Sequence, residues 1–324
     1  MNRPFSKLLY ALVHASLALA SSAALAQSVN FPTRTVTLVA ATTPGGSIDI
    51  VARMLAPELE SIFKQAVVVE NRPGAGAQVG AAYVAKANAD GHTLLISTGV
   101  AFAPVFSKVP PVALRDLAPV SLVAEGPLVM VAPKDLPANN MSDLFVYVRA
   151  NPGKLNHATI GLGSAIFLYF AWWKSKERLN MQEIAYPGPG PIQAALLRGD
   201  VQMAMFSTAV AKAYVDTGKG KVIGVTGKKR LKEFPEARTF DELGLLDIGG
   251  TMVGMHAPGA TPAAIVNRIN AATVQAGKSP EFFKRMEGIN YQIVLSSPDE
   301  LRQREEFDAK SGLEIARTAN IKPE

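Results

Sequence analysis

Three stretches of the chain pair glycine with hydroxyl or small residues just where a strand gives way to a helix. They are Pro44-Gly45-Gly46-Ser47, Gly74-Ala75-Gly76 and Gly161-Leu162-Gly163-Ser164. The first turn of a helix carries unpaired N–H groups and a partial positive charge, and glycine lets a ligand come close to that backbone. The chemistry on offer is therefore anion binding. A single such turn is equally served by plain capping, with Ser47 and Ser164 as the caps; three of them in one chain point to a ligand.

Other chemistries leave weaker traces. Gly74-Ala75-Gly76-Ala77-Gln78-Val79-Gly80 approximates a dinucleotide fingerprint with Asp90 at the distance of a ribose acid. Asn71-Arg72-Pro73 intervenes after the strand, however, the last spacing is one residue too long, and Asp90-Gly91 reads as a turn. There is no G-x-S-x-G elbow. His14, His92, His157 and His256 are scattered, without a metal-binding spacing or paired catalytic carboxylates. The residues read as a binding protein, without cofactor or metal, rather than an enzyme.

The elements that must hold these turns alternate. Thr35–Ala40, Ala66–Glu70 and Thr93–Ser97 read as short buried strands, with helices expected over Ile48–Phe63 and Ala77–Ala87. The rhythm restarts with a helix over Ser142–Ala150 capped by Ser142 and a strand over Asn156–Ile160. A helix from Ser164, a strand over Gln182–Tyr186 and a helix over Pro191–Arg198 follow. Strands over Val201–Phe206 and Val222–Thr226 flank a helix over Ala209–Thr217. Helices are expected over Thr261–Ala276 and from Pro298, where Glu300, Glu305 and Glu306 read as a solvated face. Strand–helix alternation with continuous apolar strands predicts an α/β fold of two units, each a mostly parallel sheet flanked by helices. Two apolar segments, Pro119–Ala132 broken by Glu125-Gly126-Pro127, and Gly249–Ala257, would cross between the units.

Composition narrows the setting. Arg3 and Lys7, the apolar run Leu8–Ala20 and Ala24-Leu25-Ala26 before Gln27 form a secretory signal peptide over residues 1–26. The longest later apolar run, Ala165 to Trp173, falls well short of the ~20 residues of a membrane span. The chain has no cysteine, which excludes disulfides and thiolate zinc sites. Its formal charge of +6 is spread out except at Lys228-Lys229-Arg230-Leu231-Lys232, a run without interleaved aromatics that reads as a solvated loop rather than a nucleic-acid site. A mildly basic surface suits small anions.

The motifs together resemble a known family. Thr43-Pro44-Gly45-Gly46-Ser47-Ile48-Asp49, Val69-Glu70-Asn71-Arg72-Pro73-Gly74-Ala75-Gly76 and Ala89-Asp90-Gly91-His92-Thr93-Leu94-Leu95 are similar to the signature run of Bug-type receptors, the solute-binding proteins of tripartite tricarboxylate transporters. The likeness continues in order through Leu117-Ala118-Pro119-Val120, Asn151-Pro152-Gly153-Lys154, Tyr186-Pro187-Gly188, Gly199-Asp200-Val201-Gln202 and His256-Ala257-Pro258-Gly259-Ala260-Thr261-Pro262. It implies a two-lobed periplasmic binding protein fold of type II-like form. Residues 27–125 with 252–324 would make one lobe and residues 126–251 the other.

The resemblance also implies a periplasmic monomer that holds a small carboxylate and passes it to the integral-membrane permease subunits. The expected contacts are Thr42, Gly45, Gly46, Ser47, Ser97 and Thr98 from the first lobe, with the segment Ser97–Gly99 lining the cleft. From the second come Thr159, Gly163, Ser164 and Ser207, with Phe167 and Phe206 shaping the pocket. Asp49 is expected to order its loop rather than touch the ligand. Where relatives commonly carry the polar run G-S-S-G-N-G-S-S-S-H, this chain reads Ala158-Thr159-Ile160-Gly161-Leu162-Gly163-Ser164-Ala165-Ile166-Phe167, and Ser207 stands where they commonly carry Asp. These departures favour an apolar or aromatic body bearing one or two carboxylates. The alternative is that these residues pack beneath the loop and the ligand is an aliphatic di- or tricarboxylate such as citrate or succinate. An effector-sensing domain of a regulator shares the architecture, but the leader and the absence of a DNA-binding region oppose it.

Overall fold

The computed structural model describes residues 30–98, 100–102, 105, 107, 110–161, 164–247 and 249–321. The leader, Gly99, Leu162 and Gly163 lie outside them.

The short apolar runs form strands because they can be buried on both faces. β1 (Val36–Ala40), β2 (Val67–Asn71) and β3 (Thr93–Ser97) join β4 (Leu117–Gly126), β10 (Thr251–Pro258) and β11 (Gln292–Ile293) in a six-stranded sheet of order β11-β4-β10-β3-β1-β2. The intervening chain builds a second lobe. There β5 (Leu128–Pro133) lies between β8 (Ala204–Ser207) and β9 (Gly220–Val225), while β6 (Asn156–Thr159) pairs with β7 (Gln182–Ala185). A bridge between His157 and Met203 ties β6 to the strand entering β8. The first lobe carries helices α1 (Ser47–Phe63) and α2 (Gln78–Ala85). The second carries α3 (Met141–Ala150), α4 (Ala165–Lys176), α5 (Pro189–Arg198) and α6 (Thr208–Asp216). The chain then returns through α7 (Ala263–Gly277), α8 (Pro280–Gly288) and α9 (Pro298–Thr318).

The sheets are mixed where the sequence reading expects mostly parallel ones. β1 is parallel to β2 and β3, but β10 is antiparallel to both β3 and β4, and β11 is antiparallel to β4. β5 is antiparallel to β8 and β9. Continuous apolarity reports burial on both faces, not strand direction. A strand that returns from the other lobe pairs beside the one that left, so it runs the opposite way. The two crossing segments are that pair: β4 passes into β5 with only Pro127 between, and β10 starts opposite, with Thr251 in register with Gly126. The backbones touch so closely that a Cβ on Gly250 would collide with the Gly126 carbonyl.

Two local readings change. Asn140, not Ser142, caps α3: its side chain accepts from the Asp143 N–H at 2.9 Å. Glu305 is buried rather than solvated, paired at 2.8 Å with the imidazole of His256 on β10. The wider spacing of charges on α9 hides this inward position, because the partner comes from a strand far away in sequence.

Candidate functional site

The chain leaves β1 through Ala41 and Thr42 and turns at Pro44-Gly45-Gly46 into α1. The two glycines serve different needs. Gly45 takes a φ of +78° with open space around its α-carbon, so the backbone conformation alone calls for glycine. Gly46 has an ordinary φ of −70°, but a Cβ there would sit 2.5 Å from Thr42 Oγ1 and 3.1 Å from Pro189 of the second lobe. Asp49 orders this loop: its carboxylate accepts from the Gly45 N–H at 2.9 Å, Arg53 at 2.9 Å and Asn71 at 2.8 Å. Burial pushes its carboxyl up, but those hydrogen bonds outweigh burial and hold it below the usual carboxylate range.

Opposite α1, two helices of the second lobe start at the same place. Ser207 ends β8 and is also the residue before α6; it is in register with Leu128 on β5. Gly188 precedes α5, whose first residue is Pro189. None of α1, α5 and α6 has a side-chain cap, and the first N–H groups of α1 and α6 keep their capacity for an anion; α5 opens Pro189-Gly190-Pro191, whose prolines have no N–H to offer. Ser207 is buried and its Oγ has no hydrogen-bond partner. α4 contrasts with them: Ser164 Oγ accepts from the Phe167 N–H at 3.2 Å and donates to the Gly161 carbonyl at 2.9 Å. That helix satisfies its own end.

Behind the lining of the site lies a residue that no sequence signal marks. Tyr291, on the short link from α8 to β11, is buried with its ring over Gly126, whose added Cβ would lie 2.6 Å from Tyr291 Cε2. Its hydroxyl lies among Ser47, Thr251 and Ser207 without completing a well-formed hydrogen bond to any of them, and burial raises its pKa.

These elements enclose two joined chambers. The inner, of about 60 Å³, is lined by Thr42, Ser47, Ile48, Pro189, Ile192, Met205, Phe206, Ser207 and Val210. The outer, of about 50 Å³, adds Phe102, Ser164, Ala165, Gly250, Met252, Arg304 and Asp308. Thr98, Leu128, Ile160, Ile166 and Thr251 belong to both. Among the described residues no charged side chain lines the inner chamber.

The expected contact residues thus divide. Thr42, Ser47, Thr98, Phe206 and Ser207 meet at the inner chamber, Gly46 stands behind Thr42, and Ser164 reaches the outer one. Gly45 is spent on Asp49. Ser97 is buried behind Thr98 with an unpartnered Oγ. Thr159 is fully buried and donates to Glu183 at 2.6 Å while accepting from the Gly161 N–H at 3.0 Å. Burial raises the Glu183 carboxyl. Phe167 packs with Phe102, Val105, Leu168 and Ala316 and lines neither chamber, whereas Ile166, its neighbour, lines both. Gly163 lies outside the described residues. The second glycine turn holds the other lobe: the Gly76 N–H donates to the Ile160 carbonyl at 2.9 Å.

Known proteins share this fold. The model of the tripartite tricarboxylate transporter family receptor (TctC) matches residues 51–313. A UPF0065 protein of Bordetella pertussis is 34% identical over 271 residues, 83% of this chain and 84% of its own. Among solved structures, the periplasmic binding protein BugD aligns with a TM-score of 0.85 at 29% identity, covering 91% of this chain and 100% of its own. An R. palustris protein solved with adipate gives 0.84 at 28% identity, covering 91% and 100%. MatC of Rhodopseudomonas palustris, solved with bound malate, gives 0.81 at 29%, covering 88% and 99%.

Proposed function

The chain belongs to the receptor family of tripartite tricarboxylate transporters, whose members are periplasmic solute-binding receptors and not enzymes, and from that premise we propose that it captures a small carboxylate in the inner chamber. The observation that carries this reading is the convergence of the uncapped starts of α1 and α6 on a chamber lined by the hydroxyl residues Thr42, Ser47, Thr98, Ser207 and Thr251. Each hydrogen bond to a charged group contributes roughly 1.5–3 kcal/mol. A few such donors therefore hold a carboxylate without a lysine or arginine in the chamber. Leu128, Ile160, Ile166, Ile192, Met205 and Phe206 around it support an apolar or aromatic body.

Closure then follows from differential contact. The lobe of residues 27–125 with 252–324 and the lobe of residues 126–251 both touch the ligand only when closed, so binding shifts the population to the closed form. The mature protein, cut near Ala26-Gln27 and monomeric in the periplasm, hands its cargo to the membrane permease subunits. A second reading, an aliphatic di- or tricarboxylate, is favoured by the R. palustris neighbours solved with adipate and malate.

A thermal-shift screen of mature protein, unfolded and refolded to remove carried ligand, separates the two, because a ligand of the native state raises the melting temperature. Shifts with aromatic acids support the apolar body. Shifts confined to citrate, succinate, malate or adipate select the second reading, and no shift with any carboxylate overturns carboxylate capture.

A further inference from the structure

We propose that the outer chamber seats the far end of the ligand and refuses a second carboxylate there, so that this receptor selects monocarboxylates whose apolar body ends in a neutral group. The inference rests on the carboxylate-receptor reading and names its substrate class.

The two chambers are continuous through Thr98, Leu128, Ile160, Ile166 and Thr251, so a ligand anchored at Ser207 extends past these walls. Phe102, Ala165, Ile166 and Met252 line the outer chamber with apolar surface. Its charged lining comes from α9 alone among the described residues: Arg304 and Asp308.

Arg304 is shared between two acids. Its Nη1 donates to Glu125 at 2.5 Å, and its Nε donates to both Asp308 oxygens at 3.1 and 3.2 Å. One guanidinium between two carboxylates leaves an excess of negative charge at the end of the chamber. Glu305, the next acid on α9, adds to it from behind, paired with His256. Asp308 is 9% exposed, so water screens it little. Burial raises its carboxyl, and Glu125 and Glu305 act in the same direction against Arg304. A second carboxylate arriving here meets two acids competing for one arginine. A methyl, a ring edge or a hydroxyl meets Phe102 and Met252, or a carboxylate able to accept its proton.

The test compares acids of one body: benzoate against terephthalate, and hexanoate against adipate, titrated calorimetrically into stripped, refolded protein. The monocarboxylate of each pair is expected to bind about tenfold more tightly or better, the scale of one like-charge contact at partial burial. Asp308→Asn removes the excess charge. It should strengthen dicarboxylate binding several-fold relative to the monocarboxylate of the same body. Glu125→Gln removes the same charge from the opposite side of Arg304 and serves as a second variant. Tighter dicarboxylate binding in both pairs, or weaker dicarboxylate binding in Asp308→Asn, would show that Arg304 grips a second carboxylate and would overturn the proposal. Binding without a preference for the monocarboxylate overturns this proposal alone, whereas no binding of these four acids together with no thermal shift for any other carboxylate fails the receptor reading itself.

Discussion

At the scale of single residues, adjacent glycines do unlike things, and their substitutions separate the effects. Gly45→Ala forces a methyl-bearing residue into a φ of +78° but meets nothing within 4 Å. It should cost about 1–2 kcal/mol of stability and leave affinity nearly unchanged. Gly46→Val keeps an ordinary φ but drives side chain into Thr42 and Pro189, wedging the lobes apart. Its melting temperature should stay near that of the parent while affinity falls tenfold or more, about 1.4 kcal/mol per decade. Calorimetry with denaturation curves for both variants checks this, and loss of affinity in Gly45→Ala instead would reverse the assignment. His157 gives a second prediction. Burial, helped by Lys174, lowers its pKa from 6.5 to about 3, and its ring stacks 4.2 Å from that of Phe170. The unfolded chain therefore binds a proton that the folded one refuses. The stabilisation is complete above 6.5 and is lost as pH falls towards 3, at up to about 1.4 kcal/mol per pH unit. Urea titrations across that window should show a shallower pH slope for His157→Phe; equal slopes would refute it.

At the scale of elements, the helix starts decide what is site and what is scaffold. Ser164 and Ser207 look alike in sequence, each a serine before an apolar run. Ser164 caps α4 with its own oxygen, whereas Ser207 leaves α6 uncapped and its Oγ unpartnered. Ser164→Ala should cost about 1 kcal/mol of stability with little change in affinity. Ser207→Ala should do the converse, keeping stability and weakening carboxylate binding several-fold. Melting curves and titrations of the two variants test the pair, and a stability loss in Ser207→Ala would mean that its hydroxyl serves the fold. The sequence made the loop at Gly45-Gly46 legible because a strand, two glycines and an amphipathic helix sit within one short window. It could not show which serine was free. That depends on whether Oγ turns back to its own helix, a choice made by packing. Phe167 illustrates the same limit: one helical step from Ile166, it faces Phe102 and Ala316 instead of the chambers. Tyr291 is the extreme case, its hydroxyl brought beside Ser47, Thr251 and Ser207 by a link between α8 and β11 that carries no motif.

At the scale of the whole molecule, the alternation of elements was readable because it is local, while strand direction and the pairs Glu305–His256 and Arg304–Glu125 were not, because they join segments 49 and 179 residues apart or depend on a returning strand. The lobes meet at named points around the chambers: Gly76 with Ile160, Thr43 and Gly46 with Gly188 and Pro189, and Phe102 with Leu168. Behind them β4 and β10, the two segments that a closing motion would have to bend, touch at Gly126 and Gly250. The Gly76 N–H reports on this directly, because its acceptor belongs to the opposite lobe. In stripped protein the lobes should part often enough to free that amide, and a bound carboxylate should hold it against Ile160. Hydrogen–deuterium exchange of a peptide spanning residues 74–80 should therefore slow by about tenfold or more on loading, since exchange follows the population that opens. β1, inside the six-stranded sheet, should exchange at the same rate in both states. Equal exchange at residues 74–80 would mean that the lobes stay shut without ligand, and selection would then have to act on entry to a preformed chamber rather than on closure.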